Sequence, residues 1–97
     1  MPGFVQIMEI KTSKIADVEA FAKQMQEERG DALLSNKATV TADRDRPGVY
    51  LIIVEFDSYE RAMENSNDPA TGKYADQMVE LLDGPPKFFN LDVRSEM

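Results

Sequence analysis

Apolar positions along this chain change period from segment to segment, and the changes mark out its elements. Phe4 to Ile10 reads as a strand, with Phe4, Met8 and Ile10 on one face beside Gln6, and Val5 and Ile7 on the other beside Glu9. Thr12 and Ser13 offer helix N-caps. From Lys14 to about Arg29 the spacing becomes helical: Ile15, Val18, Phe21, Ala22 and Met25 form one stripe, opposite Glu19, Lys23, Gln26 and Glu27, and Gly30 follows as a terminator. Leu33 to Ala42 reads as a second strand, the charged run Asp43 to Gly48 as a turn, and Val49 to Phe56 as a third strand that is apolar on both faces. Asp57 with Glu60 has the form of a capping box and predicts a short helix carrying Ala62 and Met63, interrupted at Asn65 to Asp68. Asp68-Pro69 opens another helix, with Tyr74, Ala75, Met78, Leu81 and Leu82 at helical spacing. Gly84-Pro85-Pro86 stops it, and Lys87 to Arg94 reads as the last strand.

The order is β-α-β-β-α-β with the second helix broken in two. It predicts a single α+β domain over residues 1–97, a ferredoxin-like four-stranded antiparallel sheet with its helices on one face. Helices on one side leave the other face of the sheet uncovered, yet the first and third strands are apolar on both faces. A half-solvated antiparallel sheet alternates apolar with polar. The expectation is therefore a second copy of the chain, sheet against sheet about a two-fold axis: a homodimer through the sheet face.

Composition narrows the chemistry. The 97 residues include no histidine, cysteine or tryptophan. That removes the side chain that titrates near neutrality, the thiolate nucleophile and the soft metal ligands, so no metal site is expected. Eighteen acidic against eleven basic residues, a formal net charge of -7, argue against nucleic acid and anionic membrane surfaces as partners. No run approaches the ~20 apolar residues of a membrane span, and the first residues lack a basic, then apolar, leader. The expected location is the cytoplasm.

The strand FVQIMEIK, the hairpin end VYLIIVEFDSYERAM, the broken helix ENSNDPATGKYADQM and the closing DGPPKFFNLDV together resemble the antibiotic biosynthesis monooxygenase-like family, whose members are dimeric α+β barrels. The resemblance implies a small-molecule pocket between sheet and helices, and activities that range over cofactor-independent oxygenation of quinols and anthrone-like compounds, haem degradation, and none assigned. Haem-degrading relatives carry an asparagine where this chain has Gln6, a tryptophan near Glu64 and a haem-ligating histidine at or beside Tyr74. Without that histidine, no cofactor is expected. The quinol and anthrone oxygenases use an Asn, Trp and Tyr set on the same elements, for which Asn65 and Tyr74 are the counterparts present.

Three polar side chains are candidates for chemistry. Tyr74 on the inner helix face would hydrogen-bond a hydroxyaromatic or a developing oxyanion, or else pack its ring in the core with the hydroxyl at the rim. Gln6 lies among apolar neighbours and needs partners that a ligand, or another protein group, would supply. Asn65 would meet a ligand at the helix break, or cap the helix. Phe21, Met25, Tyr50, Met63 and Met78 would line an adaptable apolar pocket for a small aromatic ligand, or form plain core. The carboxylates Glu27, Glu28, Asp31, Asp43 and Asp45 read as solvated charge beside arginines. Two functions stay open: a cofactor-independent monooxygenase of quinol- or anthrone-like substrates, and a non-enzymatic ligand-binding or accessory protein of the same fold.

Overall fold

The structure, a computed structural model, describes residues 3–30 and 35–97. Seven elements follow in order: β1 (Phe4–Lys11), α1 (Ile15–Arg29), β2 (Lys37–Ala42), β3 (Val49–Phe56), α2 (Tyr59–Asn67), α3 (Pro69–Val79) and β4 (Lys87–Asp92). All strand pairs are antiparallel, in the order β2-β3-β1-β4, so the two strands that are apolar on both faces are the central ones. The ferredoxin-like arrangement is as expected, and the sheet is open, with β2 and β4 at its edges.

Register divides the sheet into rows. On the helix side, Ala38, Val54, Gln6 and Asn90 stand side by side across the four strands, and the next row is Val40, Ile52, Met8 and Phe88. Residues of this face at either end are the most deeply buried, and they form two clusters. Phe4, Phe56 and Ala62 meet beneath α2, with Val54 and Met63 against them. Ile10, Val18 and Ile52 meet beneath α1 and the end of α3, with Tyr50, Met78, Leu81 and Leu82 against them. The opposite face carries the row Thr39, Ile53, Ile7 and Phe89, with Leu91 beside Val5. Among the described residues no helix covers it, and Phe89 and Leu91 are exposed.

Local chemistry moves several boundaries from their expected places. The second strand starts at Lys37; Asn36 still donates its N–H to the Glu55 carbonyl at 2.7 Å, and Leu33 and Leu34, expected in this strand, lie outside the described residues. Neither Thr12 nor Ser13 caps α1. The N-cap is Lys14, and the buried Thr12 hydroxyl accepts from the Lys14 N–H while donating to the Leu81 carbonyl at 2.6 Å, tying β1 to the end of α3. The cap of α2 is Ser58, whose hydroxyl accepts from the Arg61 N–H, while Asp57 accepts from the Asn36 amide. Ser58 sits in extended backbone one residue nearer the helix, which puts its oxygen over the free N–H groups. Leu81 and Leu82 fall beyond α3, in tight turns closed by bonds to the Met78 and Val79 carbonyls, yet still reach the core. The last strand ends at Asp92 rather than Arg94.

The break between α2 and α3 follows from Asp68-Pro69. A residue before proline is driven from helical to extended backbone, and Asp68 has φ −72° and ψ 126°. It ends one helix and caps the next, its carboxylate accepting from the Ala70 N–H at 2.9 Å.

Candidate functional site

A cavity of about 200 Å³ lies between the middle of the sheet and the helices, against members of both core clusters. Its floor is made of the two cross-sheet rows: Gln6, Ala38 and Val54, then Met8, Ile52 and Phe88. Met25 from α1 and Tyr74 and Met78 from α3 wall it, and Asn65 and Thr71 stand at the helix break. Phe88, 57% exposed on an edge strand, borders it on the solvent side. The lining is mostly apolar carbon, interrupted by a few amides and hydroxyls and by Arg29, as in sites for small ligands.

The structure brings Gln6, Asn65 and Tyr74 to this one cavity, together with Met25 and Met78. Phe21 instead lines a neighbouring groove of about 340 Å³ between α1 and α3, where its ring meets Tyr74 edge-on at 5.9 Å. Tyr50 and Met63 lie outside the lining and pack against the two core clusters.

Each polar candidate has a partner. Gln6 donates from Nε2 to Asn90 Oδ1 across the β1–β4 pair at 3.0 Å. Tyr74 borders both the cavity and the groove, and its hydroxyl donates to Glu28 Oε2 at 2.5 Å. This bond is the main cause of a Tyr74 pKa above the ordinary tyrosine value, followed by desolvation and the charge of Glu28. The same bond, with a second from Gln24 Nε2, holds the Glu28 carboxyl below its usual range. At neutral pH the pair is therefore a phenol on a carboxylate, and Glu28 is exposed but not merely solvated.

The most constrained charge at the site is Arg29, which the sequence reading left beside solvated carboxylates. Its side chain is 6% exposed. Nη2 pairs with Asp68 at 2.8 Å, and Nη1 donates to Thr71 Oγ1 at 2.7 Å and lies 3.5 Å from Asn65 Oδ1. The Thr71 hydroxyl in turn donates to Asn65 Oδ1 at 3.3 Å. One guanidinium thus joins the end of α1 to the break between α2 and α3. A signal for it does exist: Ile15, Val18, Ala22 and Met25 are spaced three and four apart, and the next step of four lands on Arg29. Asn90 has no such signal in the sequence, since only strand register places it beside Gln6.

Among the described residues no group of three or more His, Cys, Asp or Glu side chains is placed to hold a metal ion, and no helix is long and apolar enough to cross a membrane.

No protein-family model matches the chain, and no curated protein does so by sequence. Solved structures match it closely in shape. SnoaB, a cofactor-independent oxygenase from Streptomyces nogalater, superposes with a TM-score of 0.79 at 11% identity, over 100% of this chain and 98% of its own. Rv0793 from Mycobacterium tuberculosis gives 0.74 at 17% identity, over 96% of each chain. A structure described as an antibiotic biosynthesis monooxygenase gives 0.71 at 12% identity, over 95% of this chain and 99% of its own. The chain has the fold of these proteins, in agreement with the resemblance seen in its sequence. Identity this low speaks for the fold, and the chemistry has to be argued from the site.

Proposed function

We propose that this chain is a small-molecule-binding homodimer whose cavity takes an oxygen-bearing aromatic compound of the quinol or anthrone type, and that it oxygenates that compound without a cofactor. The observation that carries the reading is the cavity itself: a mostly apolar floor and walls, interrupted by Gln6, Gln26, Arg29, Ser35, Asn65, Thr71 and Tyr74. Apolar contact would hold the rings while the amides meet ring oxygens. The occurrence of the same fold in a cofactor-independent oxygenase supports it, and the uncovered apolar row Ile53, Ile7 and Phe89 supports the dimer.

In such a reaction the substrate supplies the electrons. An anthrone loses a proton from its central CH2, the carbanion reduces O2, one oxygen atom ends as a new ring carbonyl and the other leaves as water. The protein's part is to orient the ring, stabilise the enolate oxygen and keep water from the reacting carbon. Tyr74 would act as a pinned phenol rather than as a tyrosinate base, since Glu28 raises its pKa. No carboxylate lines the cavity among the described residues. Proton removal then falls to water, or to the acidity of the substrate.

That lack of a base favours a second reading: the same cavity binds an aromatic compound and performs no reaction on it. Oxygen uptake by metal-free protein with a panel of anthrones and hydroquinones separates the two. Saturable uptake, absent after heat denaturation and lowered several-fold in Tyr74→Phe, is the expected result. Binding of the same compounds without uptake would replace the enzyme with the binding protein.

A further inference from the structure

We infer that Arg29 and Thr71 are positioning residues that lock the Asn65 amide with its oxygen toward them, leaving Nδ2–H as the group Asn65 offers a ligand. The inference rests on the proposal that the cavity holds an oxygen-bearing aromatic compound, and adds how that oxygen is selected.

Donor chemistry decides the orientation. A guanidinium has donors only. Arg29 Nη1 gives a hydrogen to Thr71 Oγ1 at 2.7 Å, so the hydroxyl hydrogen of Thr71 is left to point elsewhere, and it goes to Asn65 Oδ1 at 3.3 Å. Nη1 also lies 3.5 Å from the same oxygen. Turning the amide over would set its NH2 hydrogens against the N–H of Arg29 and the O–H of Thr71, donor against donor. The two contacts to Oδ1 are long for hydrogen bonds, so their effect is to orient the amide by the local field. Little water screens these contacts, because the Arg29 side chain is 6% exposed.

Arg29 is itself anchored. Asp68 accepts from Nη2 at 2.8 Å and is held in turn by capping α3 through the Ala70 N–H. The chain of contacts Asp68, Arg29, Thr71, Asn65 therefore ties the amide to three helix ends. No described residue accepts a hydrogen bond from Asn65 Nδ2, and Asn65 lines the cavity. Drawing charge toward Oδ1 also makes the N–H groups better donors. The arrangement selects a ligand with a carbonyl or phenolate oxygen over a hydrocarbon of the same shape.

The test uses two probes, anthrone and 9,10-dihydroanthracene, which share a three-ring skeleton and differ in one carbonyl. Anaerobic equilibrium titration of the intact protein should give a preference for anthrone of about tenfold or more. Asn65→Asp keeps an oxygen for Arg29 and replaces the donor by an acceptor. It should abolish the preference without lowering the melting temperature. Thr71→Val should reduce the preference and Thr71→Ser should retain it. Equal binding of both probes by the unmodified protein, or a preference unchanged in Asn65→Asp or in Thr71→Val, would overturn the clamp and leave the aromatic cavity standing. Binding of neither probe would overturn both.

Discussion

The two faces of the sheet are both apolar at their centre but differ around it: the helix side carries the polar residues Gln6, Asn90 and Asp92, whereas the other carries Glu9, Lys11, Lys37, Thr39, Thr41, Glu55 and Lys87. On the helix side, Phe4, Ile10, Ile52 and Phe56 are at most 6% exposed. On the other, Ile7, Leu51 and Ile53 are only half-buried by their neighbours, and Phe89 and Leu91 are exposed. β1 and β3 supply residues to both sets, one residue out of phase, and β4 adds Phe89 and Leu91 to the second. One face is closed by the chain's own helices, whereas among the described residues no helix covers the other. The covered face is also incompletely filled at its middle, between the two clusters, and that gap is the cavity. A tightly packed core at the same place would have left no room for a ligand.

Mutations on the two faces should separate along this line. The largest effect belongs to the covered side: Phe56→Ala removes a fully buried ring and should cost about 3–5 kcal/mol of unfolding free energy, read from urea denaturation. On the open side, Ile53→Glu places a charge in the centre of the exposed row. It should convert dimers to monomers in sedimentation velocity while the monomer remains folded. Dimers that persist would move the interface elsewhere. The smallest effect belongs to the rim, where Arg46 pairs with Glu9 at 2.8 Å and Asp43 at 2.7 Å from a side chain 52% exposed. Arg46→Ala should shift the melting temperature by about 2 °C or less. The Arg46 bond, then the Asp45 N–H, hold the Asp43 carboxyl below its ordinary value. That contribution is present above the ordinary aspartate pKa and is lost as pH falls through the lowered one, so variant and parent should converge in acid.

Comparing the rim with the site shows why similar pairs differ. Arg46 and Arg29 each reach a carboxylate at 2.8 Å. In water the first interaction is screened. The second holds a guanidinium only 6% exposed, where far less water screens the charge, and Thr71 and Asn65 add to its contacts. From sequence both arginines stood among acidic residues and read alike, although Arg29 also continues the apolar stripe of its helix.

Periodicity by itself determined the order of strands and helices, because apolar spacing is a local property that the backbone geometry of each element converts directly into a face. Asp68-Pro69 likewise determined the break in the second helix, since the constraint acts between adjacent residues. Pattern alone also indicated that one sheet face lacks a cover. Tertiary structure decided what depends on residues far apart in the chain: that Gln6 stands beside Asn90, that the Tyr74 hydroxyl goes to Glu28, and that Arg29 reaches Asn65, Asp68 and Thr71. Those contacts are set by register and by helix packing. A two-residue shift of register would keep every apolar residue on its face and still change the polar partners, so the pattern carries no record of which polar atoms meet.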